Sequence, residues 1–375
     1  MKNILISGGA GFIGSRLCSK LVEKEYTVTV LDNLSEQIHG KRESELYLTI
    51  KDKCTFIKGD VRNKADWTKS IKGQDVVIHL AAETGTGQSM YEVEKYNEVN
   101  IMGTAHLLDT LANKRHSIKK IIIASSRAIY GEGKYNCINH GVQYPNERKE
   151  KDMDNGEFNP KCIVCNTELQ LVATDEYSEI HPSSIYGINK QQQEQMVMLM
   201  GASLGIPAVA FRYQNVYGPG QSLSNPYTGI ISIFSTRILN GNDIDIYEDG
   251  KESRDFVYID DVVDATILGL ENDVANGEVF NVGSDEVTTV LTVAKTLKKL
   301  FNATTVINVS GNYRLGDIRH NLADLTKIKT LLGFTPKYNF QQGISEFVTW
   351  VKTQKVEKDK YEQSKQELQA KGLMK

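Results

Sequence analysis

Ile4-Leu5-Ile6-Ser7-Gly8-Gly9-Ala10-Gly11-Phe12-Ile13-Gly14 opens the chain, and its reading decides the fold. An unbroken run of large aliphatic residues marks a strand buried on both faces, because a strand with one wet face would alternate. The glycines break that strand, and from Phe12 to Glu25 the apolar residues Ile13, Leu17, Leu21 and Val22 recur at helical spacing. Working outward, Val28-Thr29-Val30-Leu31, Val76-Val77-Ile78, Ile121-Ile122-Ile123 and Pro207-Ala208-Val209-Ala210-Phe211 repeat the pattern, with helix-period stretches between them. Buried strands joined by helices make a parallel sheet covered on both faces, so the expected fold is α/β and doubly wound.

The order strand, glycine loop, helix is also what cradles a pyrophosphate. Gly8 and Gly11 permit a tight turn and close backbone approach, and Gly14 lets the helix pack on the strand. The helix start at Phe12 and Ile13 offers free N–H groups and the positive dipole end. Asp32 ends the second apolar run eighteen residues beyond Gly14, followed by Asn33. A carboxylate there accepts from a ribose 2′-hydroxyl and repels a 2′-phosphate, which favours NAD over NADP in a Rossmann-type site. Glycines serving only a turn, with Asp32 only a cap, are the plain alternative, and it leaves their order unexplained. Gly59-Asp60-Val61-Arg62 after the third strand would bring Asp60 and Val61 near the adenine, or is simply a turn.

The 375 residues, 40% hydrophobic and 24% charged, suffice for a core and for more than one packed unit. A formal net charge of -3 without a basic run argues against nucleic acid or a membrane surface as partner and leaves a small molecule. The N-terminal apolar run is too short for a signal peptide, and no stretch is long enough to span a bilayer, so a cytoplasmic protein is expected.

Between Gly131 and Pro182 the alternation fails. Residues 132–182 read as an insertion carrying Cys137-Ile138-Asn139-His140-Gly141 and Cys162-Ile163-Val164-Cys165. Cys137, His140, Cys162 and Cys165 form two short knuckles of the kind that close a tetrahedral structural zinc site, as in a zinc-ribbon-like subdomain. Two reduced cysteine turns without metal are the alternative. Cys18 and Cys54 read as small core residues.

Tyr186-Gly187-Ile188-Asn189-Lys190 starts the helix after the insertion and sets a phenol and an ammonium on one helical face. Alone, that spacing is commonplace. It gains meaning from Ala124-Ser125-Ser126-Arg127-Ala128-Ile129-Tyr130-Gly131 at the end of a strand of the same sheet, where parallel sheets bind ligands. Together these motifs resemble an extended short-chain dehydrogenase/reductase of the nucleotide-sugar epimerase/dehydratase group, over about the first 350 residues apart from the insertion. The resemblance implies Ser126, Tyr186 and Lys190 as catalytic residues. It implies Gly8, Gly11, Phe12, Ile13, Gly14, Asp32, Asn33, Asp60, Val61, Leu80, Ala81 and Ala82 along NAD, with Tyr186 and Lys190 also touching it. Glu83, Ser126, Arg127, Asn215, Arg254 and Arg314 would meet a nucleoside diphosphate sugar, the arginines clamping its diphosphate. Relatives pair through a helix bundle that includes the Tyr186 helix, so a homodimer is implied.

Dehydratases of this group carry Asp-Glu after the catalytic hydroxyl, where this chain has Arg127-Ala128, and neither residue can shuttle a proton. The implied reaction is therefore 4-epimerisation through a 4-keto sugar. Ser125 to Gly133, Glu83 to Met90 and Gly220 to Tyr227 most resemble the dTDP-L-rhamnose 4-epimerase type of branch, which suggests a dTDP-6-deoxyhexose such as dTDP-L-rhamnose. A 4,6-dehydratase, a 4-keto reductase, and a non-catalytic NAD sensor recruiting a protein through the insertion are the alternatives. The expected division is an NAD-binding domain over 1–131, continued by 183–222 and 253–282. The insertion covers 132–182, a substrate-binding region 223–252 and 283–355, and a helical tail 356–375, at the surface or partly disordered.

Overall fold

The computed structural model describes residues 1–40, 44–227 and 229–375. Its centre is a seven-stranded sheet of β1 (Asn3–Ser7), β2 (Thr27–Asp32), β3 (Thr55–Lys58), β4 (Val76–His79), β5 (Lys120–Ser126), β6 (Ala208–Tyr213) and β7 (Val279–Val282). All neighbours are parallel, in the order β7-β6-β5-β4-β1-β2-β3. The order reverses between β1 and β4, and that crevice is where open α/β sheets bind ligands. The aliphatic runs face both ways: Ile4, Ile6 and Ile122 pack into one core, Leu5, Ile121 and Ile123 into the other.

The first core is covered by α1 (Phe12–Glu23), which ends two residues before the expected Glu25 because Glu25 adopts a left-handed turn with φ 64°. The opposite core is covered by α2 (Gly103–Asn113) and α3 (Ile185–Leu204). A second lobe packs α4 (Ile230–Leu239), α6 (Val290–Phe301) and α7 (Phe340–Val351) around its own apolar core. Before α6 in the chain, α5 (Ile259–Glu271) returns to the first face beside α1, tied by the Arg16–Asp260 ion pair at 2.5 Å. Ser253–Tyr258 pairs with Asn215–Tyr217 and Val287–Thr289 in a small sheet of the second lobe rather than in the large one. Cys54 lies just before β3 rather than within it.

The insertion forms a three-stranded antiparallel sheet of Tyr135–Cys137, Gly141–Gln143 and Gln170–Leu171, with a short helix at Glu150–Asp154. It is not an isolated appendage. Buried Arg148 pairs with Glu132 at 3.1 Å and with Glu248 of the second lobe at 2.8 Å, and Arg319 reaches the same Glu248 at 2.8 Å. The tail, expected as a helix at the surface or partly disordered, is a helix, α8 (Tyr361–Ala370), docked so that Tyr361, Ser364 and Leu368 are buried. Among the described residues no helix is long and apolar enough to cross a membrane.

Candidate active site

A cavity of about 1150 Å³ opens beyond the carboxyl ends of β1, β2, β4, β5 and β6 and continues between the lobes. At one end stands the glycine loop. Gly8 has φ +72°, and a Cβ on it would lie 2.7 Å from the Ala81 nitrogen; one on Gly14 would lie 2.3 Å from the Gly8 carbonyl oxygen. Larger residues would push the loop off the sheet, so the glycines are demanded by space as well as by conformation. No side chain caps the start of α1, which leaves its first N–H groups facing the cavity lined by Gly11, Phe12, Ile13 and Gly14. Asp32 is fixed by N–H donors of Ala10 at 3.0 Å and Leu34 at 2.9 Å, and Asn33, Val61, Leu80, Ala81 and Ala82 line the same wall. A dinucleotide pyrophosphate on the helix N-terminus and a ribose on Asp32 fit this cradle.

Asp60 lies between Gly59 and Val61, which line the cavity, and its carboxylate is gripped by Arg62, from Nε at 3.0 Å and Nη2 at 2.8 Å, and by Asn33 Nδ2 at 3.0 Å. Burial works against ionisation there, but these donors hold the carboxyl down at about 2.

Further in, Ser126 ends β5, its Oγ accepting from the Ala128 N–H at 3.1 Å. Tyr186 lies in the first turn of α3, which is capped by Ser184 Oγ accepting from the Gly187 N–H at 3.1 Å. The Tyr186 N–H donates to Ser89 Oγ at 3.1 Å. Gly187 is what lets the helix approach, since a Cβ would stand 2.6 Å from the Ala128 carbonyl oxygen. Burial pushes the Tyr186 phenol up, while a hydrogen bond from Ser126 and the charge of Arg127 draw it back. Lys190 donates Nζ to the Ala124 carbonyl at 2.9 Å and sits 6.0 Å from the centre of the Tyr186 ring. Burial lowers its ammonium to about 7. Ser125 faces away and donates to Glu194 at 2.6 Å.

Beyond Tyr186 the wall turns basic. Arg254 Nη2 and Arg314 Nη2 flank Asp317 at 3.4 and 2.9 Å. Burial disfavours the Asp317 carboxylate, yet Arg314, Arg254, Arg148 and Arg127 hold it well below the usual carboxylate range. One carboxylate does not neutralise this group. Arg127 has no hydrogen-bond or ion-pair partner among the described residues, and Arg314 Nε and Asn215 Oδ1 are buried on the cavity wall unpartnered. An unpaired buried polar atom costs about 1–3 kcal/mol, so such a set points to an anionic, hydrogen-bonding ligand.

Comparison with known proteins agrees with this geometry. Residues 4–161 and 165–283 match the NAD dependent epimerase/dehydratase family. The chain belongs to that family. It is 35% identical over 352 residues to dTDP-L-rhamnose 4-epimerase of Burkholderia thailandensis, covering 93% of this chain and 95% of the relative. Among solved structures, UDP-glucose 4-epimerase of Thermotoga maritima with UDP-glucose superposes with a TM-score of 0.75 at 31% identity, covering 93% and 98% of the two chains. UDP-glucuronic acid 4-epimerase of Bacillus cereus with UDP-glucuronic acid and NAD gives 0.75 at 27%, covering 93% and 99%.

In this family member Glu83, on the cavity wall, faces Lys95 at 3.3 Å, and Asn100 holds its backbone through Oδ1 at 2.8 Å and Nδ2 at 3.1 Å. Sequence reasoning missed the roles of Asn100, Ser89 and Arg148; Ser89 lies within the Glu83 to Met90 stretch, while Asn100 and Arg148 sit in no recognisable motif. The clearance of Gly187 from Ala128 was likewise not legible. The four metal-type ligands do converge. Their ligand atoms all lie within 4.8 Å of one another, with Cys137 Sγ 3.5 Å from His140 Nδ1 and 3.6 Å from Cys165 Sγ, and Cys162 Sγ 3.6 Å from that same Nδ1.

Proposed function

We propose that the chain is an NAD-dependent nucleotide-sugar 4-epimerase acting on a dTDP-6-deoxyhexose of the dTDP-L-rhamnose kind. The observation that carries this reading is the wall beside Tyr186: a hydroxyl, a phenol and an ammonium meet there, with Arg127 and Ala128 where an elimination would need a proton donor and acceptor. NAD, when bound, supplies a reversible two-electron acceptor beside the sugar carbon.

The residues of the chain handle the rest. The diphosphate binds across Arg254 and Arg314, with Asn215 and Arg127 completing its shell. The sugar then points its 4-hydroxyl at Tyr186. Tyr186 Oη takes the hydroxyl proton as C4 is oxidised to a ketone, and Ser126 Oγ holds the reacting oxygen throughout. Lys190, 6.0 Å from the centre of the Tyr186 ring, would hold the cofactor ribose and add positive charge beside the phenolate. After the keto sugar presents its opposite face, Tyr186 returns the proton to the oxygen as C4 is reduced. No atom is gained or lost. The engagement of Glu83 with Lys95 weighs against its serving an elimination.

The inserted cluster we assign to one structural Zn²⁺. Ligand bonds of about 2.0–2.3 Å in a tetrahedron set neighbouring ligands about 3.3–3.8 Å apart, which matches the spacing of these sulfurs and Nδ1. The Val164 N–H donates to Cys162 Sγ at 3.4 Å, the kind of bond that steadies a thiolate in a knuckle. We also assign a homodimer through α3, on which Ile188 and Leu199 are exposed. Light scattering would measure its mass. Incubation with NAD and a panel of dTDP- and UDP-sugars, followed by NMR, tests the main reading: C4 epimers support it, and a stable 4-keto product lacking water refutes it.

A further inference from the structure

The C-terminal helix α8 carries few apolar residues, yet it is docked along the cavity, which Tyr361, Ser364, Lys365 and Leu368 line. A ten-residue helix does not hold its shape alone in water, so its order comes from what it touches. Those contacts reach both lobes. Tyr361 donates its hydroxyl to that of Tyr247 at 2.7 Å and lies under the Arg237 guanidinium at 4.2 Å. Lys365 pairs with Asp245 at 3.4 Å. On the other side of the cavity Glu367 accepts from Tyr91 at 3.4 Å and from Tyr227, and Leu368 lies against Gly87.

After α8 the chain runs antiparallel beside the segment bearing Arg314, with Met374 bridged to Arg314. The Tyr313 N–H donates to the Lys375 carbonyl at 2.9 Å, the Lys375 N–H returns to the Tyr313 carbonyl at 3.1 Å, and the Leu315 N–H donates to the Leu373 carbonyl at 3.0 Å. The backbone on both sides of Arg314 is thus fixed by the last three residues. Arg314 itself lies over the Tyr247 ring at 5.2 Å, next to Tyr361.

From these contacts we infer that residues 361–375 are part of the nucleotide-sugar site: α8 walls the nucleoside end of the cavity, and residues 373–375 hold Arg314 in place for the diphosphate. The inference rests on the substrate reading above. With the sugar at Tyr186 and the diphosphate at Arg254 and Arg314, the nucleoside extends to the Asp245–Tyr247 end, where α8 supplies an aromatic ring, a hydroxyl and a cation. Bound nucleotide then bridges α8 to the second lobe and keeps it docked. The segment determines affinity for the nucleotide and leaves the reacting carbon alone.

The test uses the full chain with NAD. Leu368→Glu and Tyr361→Ala loosen α8, while Tyr361→Phe keeps the ring. The first two are expected to raise KM for the nucleotide sugar and Kd for dTDP about tenfold or more, some 1.4 kcal/mol, with kcat and NAD affinity within about twofold. Tyr361→Phe, which keeps the ring and loses only the bond to Tyr247, should fall between wild type and Tyr361→Ala. In the wild-type protein, saturating dTDP should slow tryptic cleavage after Lys365 and Lys371. Unchanged KM and dTDP affinity in a variant whose tail trypsin removes readily would overturn the inference, as would cleavage indifferent to dTDP. NAD affinity exposes a variant that has merely misfolded, and Tyr361→Phe with normal NAD binding keeps the comparison usable. Failure of the wild-type chain to bind dTDP or UDP at all is a different result, and it overturns the substrate reading itself.

Discussion

Lys190 donates its ammonium to the carbonyl of Ala124 at 2.9 Å, two residues before Ser126 on the same strand, and stands 6.0 Å from the ring of Tyr186. A buried ammonium is thus held on a backbone oxygen beside the phenol. Lys190→Met should leave the fold intact and lower kcat/KM by about 10²-fold or more, and Tyr186→Phe should cost about 10²–10⁴-fold, mostly in kcat. Steady-state kinetics read both, and Tyr186→Phe with full turnover would show the assigned base to be wrong.

The same lysine has a thermodynamic signature. Burial brings its ammonium to about 7 in the folded chain, below the ordinary lysine value of about 10.4. Below pH 7 both states are protonated, and the cost of burying the charge is felt in full. As pH rises from about 7 towards 10 the unfolded chain binds the extra proton, so this contribution to stability rises. Denaturant titrations of the apo protein across that range should show the rise, and Lys190→Met should lack it.

Arg127 acts on the phenol from the other side. Its charge lowers the Tyr186 proton affinity that burial raises, so removing it must move the phenol further up. In Arg127→Gln the rising limb of kcat/KM should shift to higher pH, with KM for the nucleotide sugar raised as well. A pH–rate profile superimposable on wild type would exclude the electrostatic role.

Gly187 is constrained by contact. An alanine Cβ would stand 2.6 Å from the Ala128 carbonyl oxygen and 2.9 Å from Pro182 Cβ. Moving α3 outward by even about 1 Å displaces Tyr186 from Ser126, a shift that can cost about 10²-fold in rate. Gly187→Ala should lower kcat well beyond any change in NAD affinity.

The inserted ligands give a metal prediction. The purified protein should carry one zinc per chain, and chelation or Cys162→Ser should lower the thermal midpoint. Because Arg148 ties the insertion to Glu248 and donates Nη2 to the Asp317 carbonyl at 2.8 Å, KM for the nucleotide sugar should rise as well. Absence of stoichiometric zinc by elemental analysis would refute the assignment.

What could be read from the chain alone were the features that repeat or that crowd into a few consecutive residues. The runs at Ile4, Val28, Val76 and Ile121 reveal the sheet because every side chain in them is buried, and the glycine loop carries its own constraint. Nothing in the Asp60 motif reveals that Arg62, two residues on, grips its carboxylate. Residues 253–258 look like any strand, and only pairing with 215–217 and 287–289 places them in the small sheet. The docking of the tail and the role of Arg148 were illegible for a shared reason. Their partners, Tyr313 and Glu248, are tens to a hundred residues away, and no local period encodes a long-range polar contact.

The central claim is reversible oxidation at one carbon, and an isotope settles it most directly. dTDP-L-rhamnose carrying deuterium at C4 is incubated with the protein and NAD in ordinary water, and the products are followed by NMR. The account predicts the C4 epimer with deuterium retained at C4, water neither lost nor gained, and no accumulation of reduced cofactor. Loss of the label to solvent, or a dehydrated 4-keto product, would contradict it.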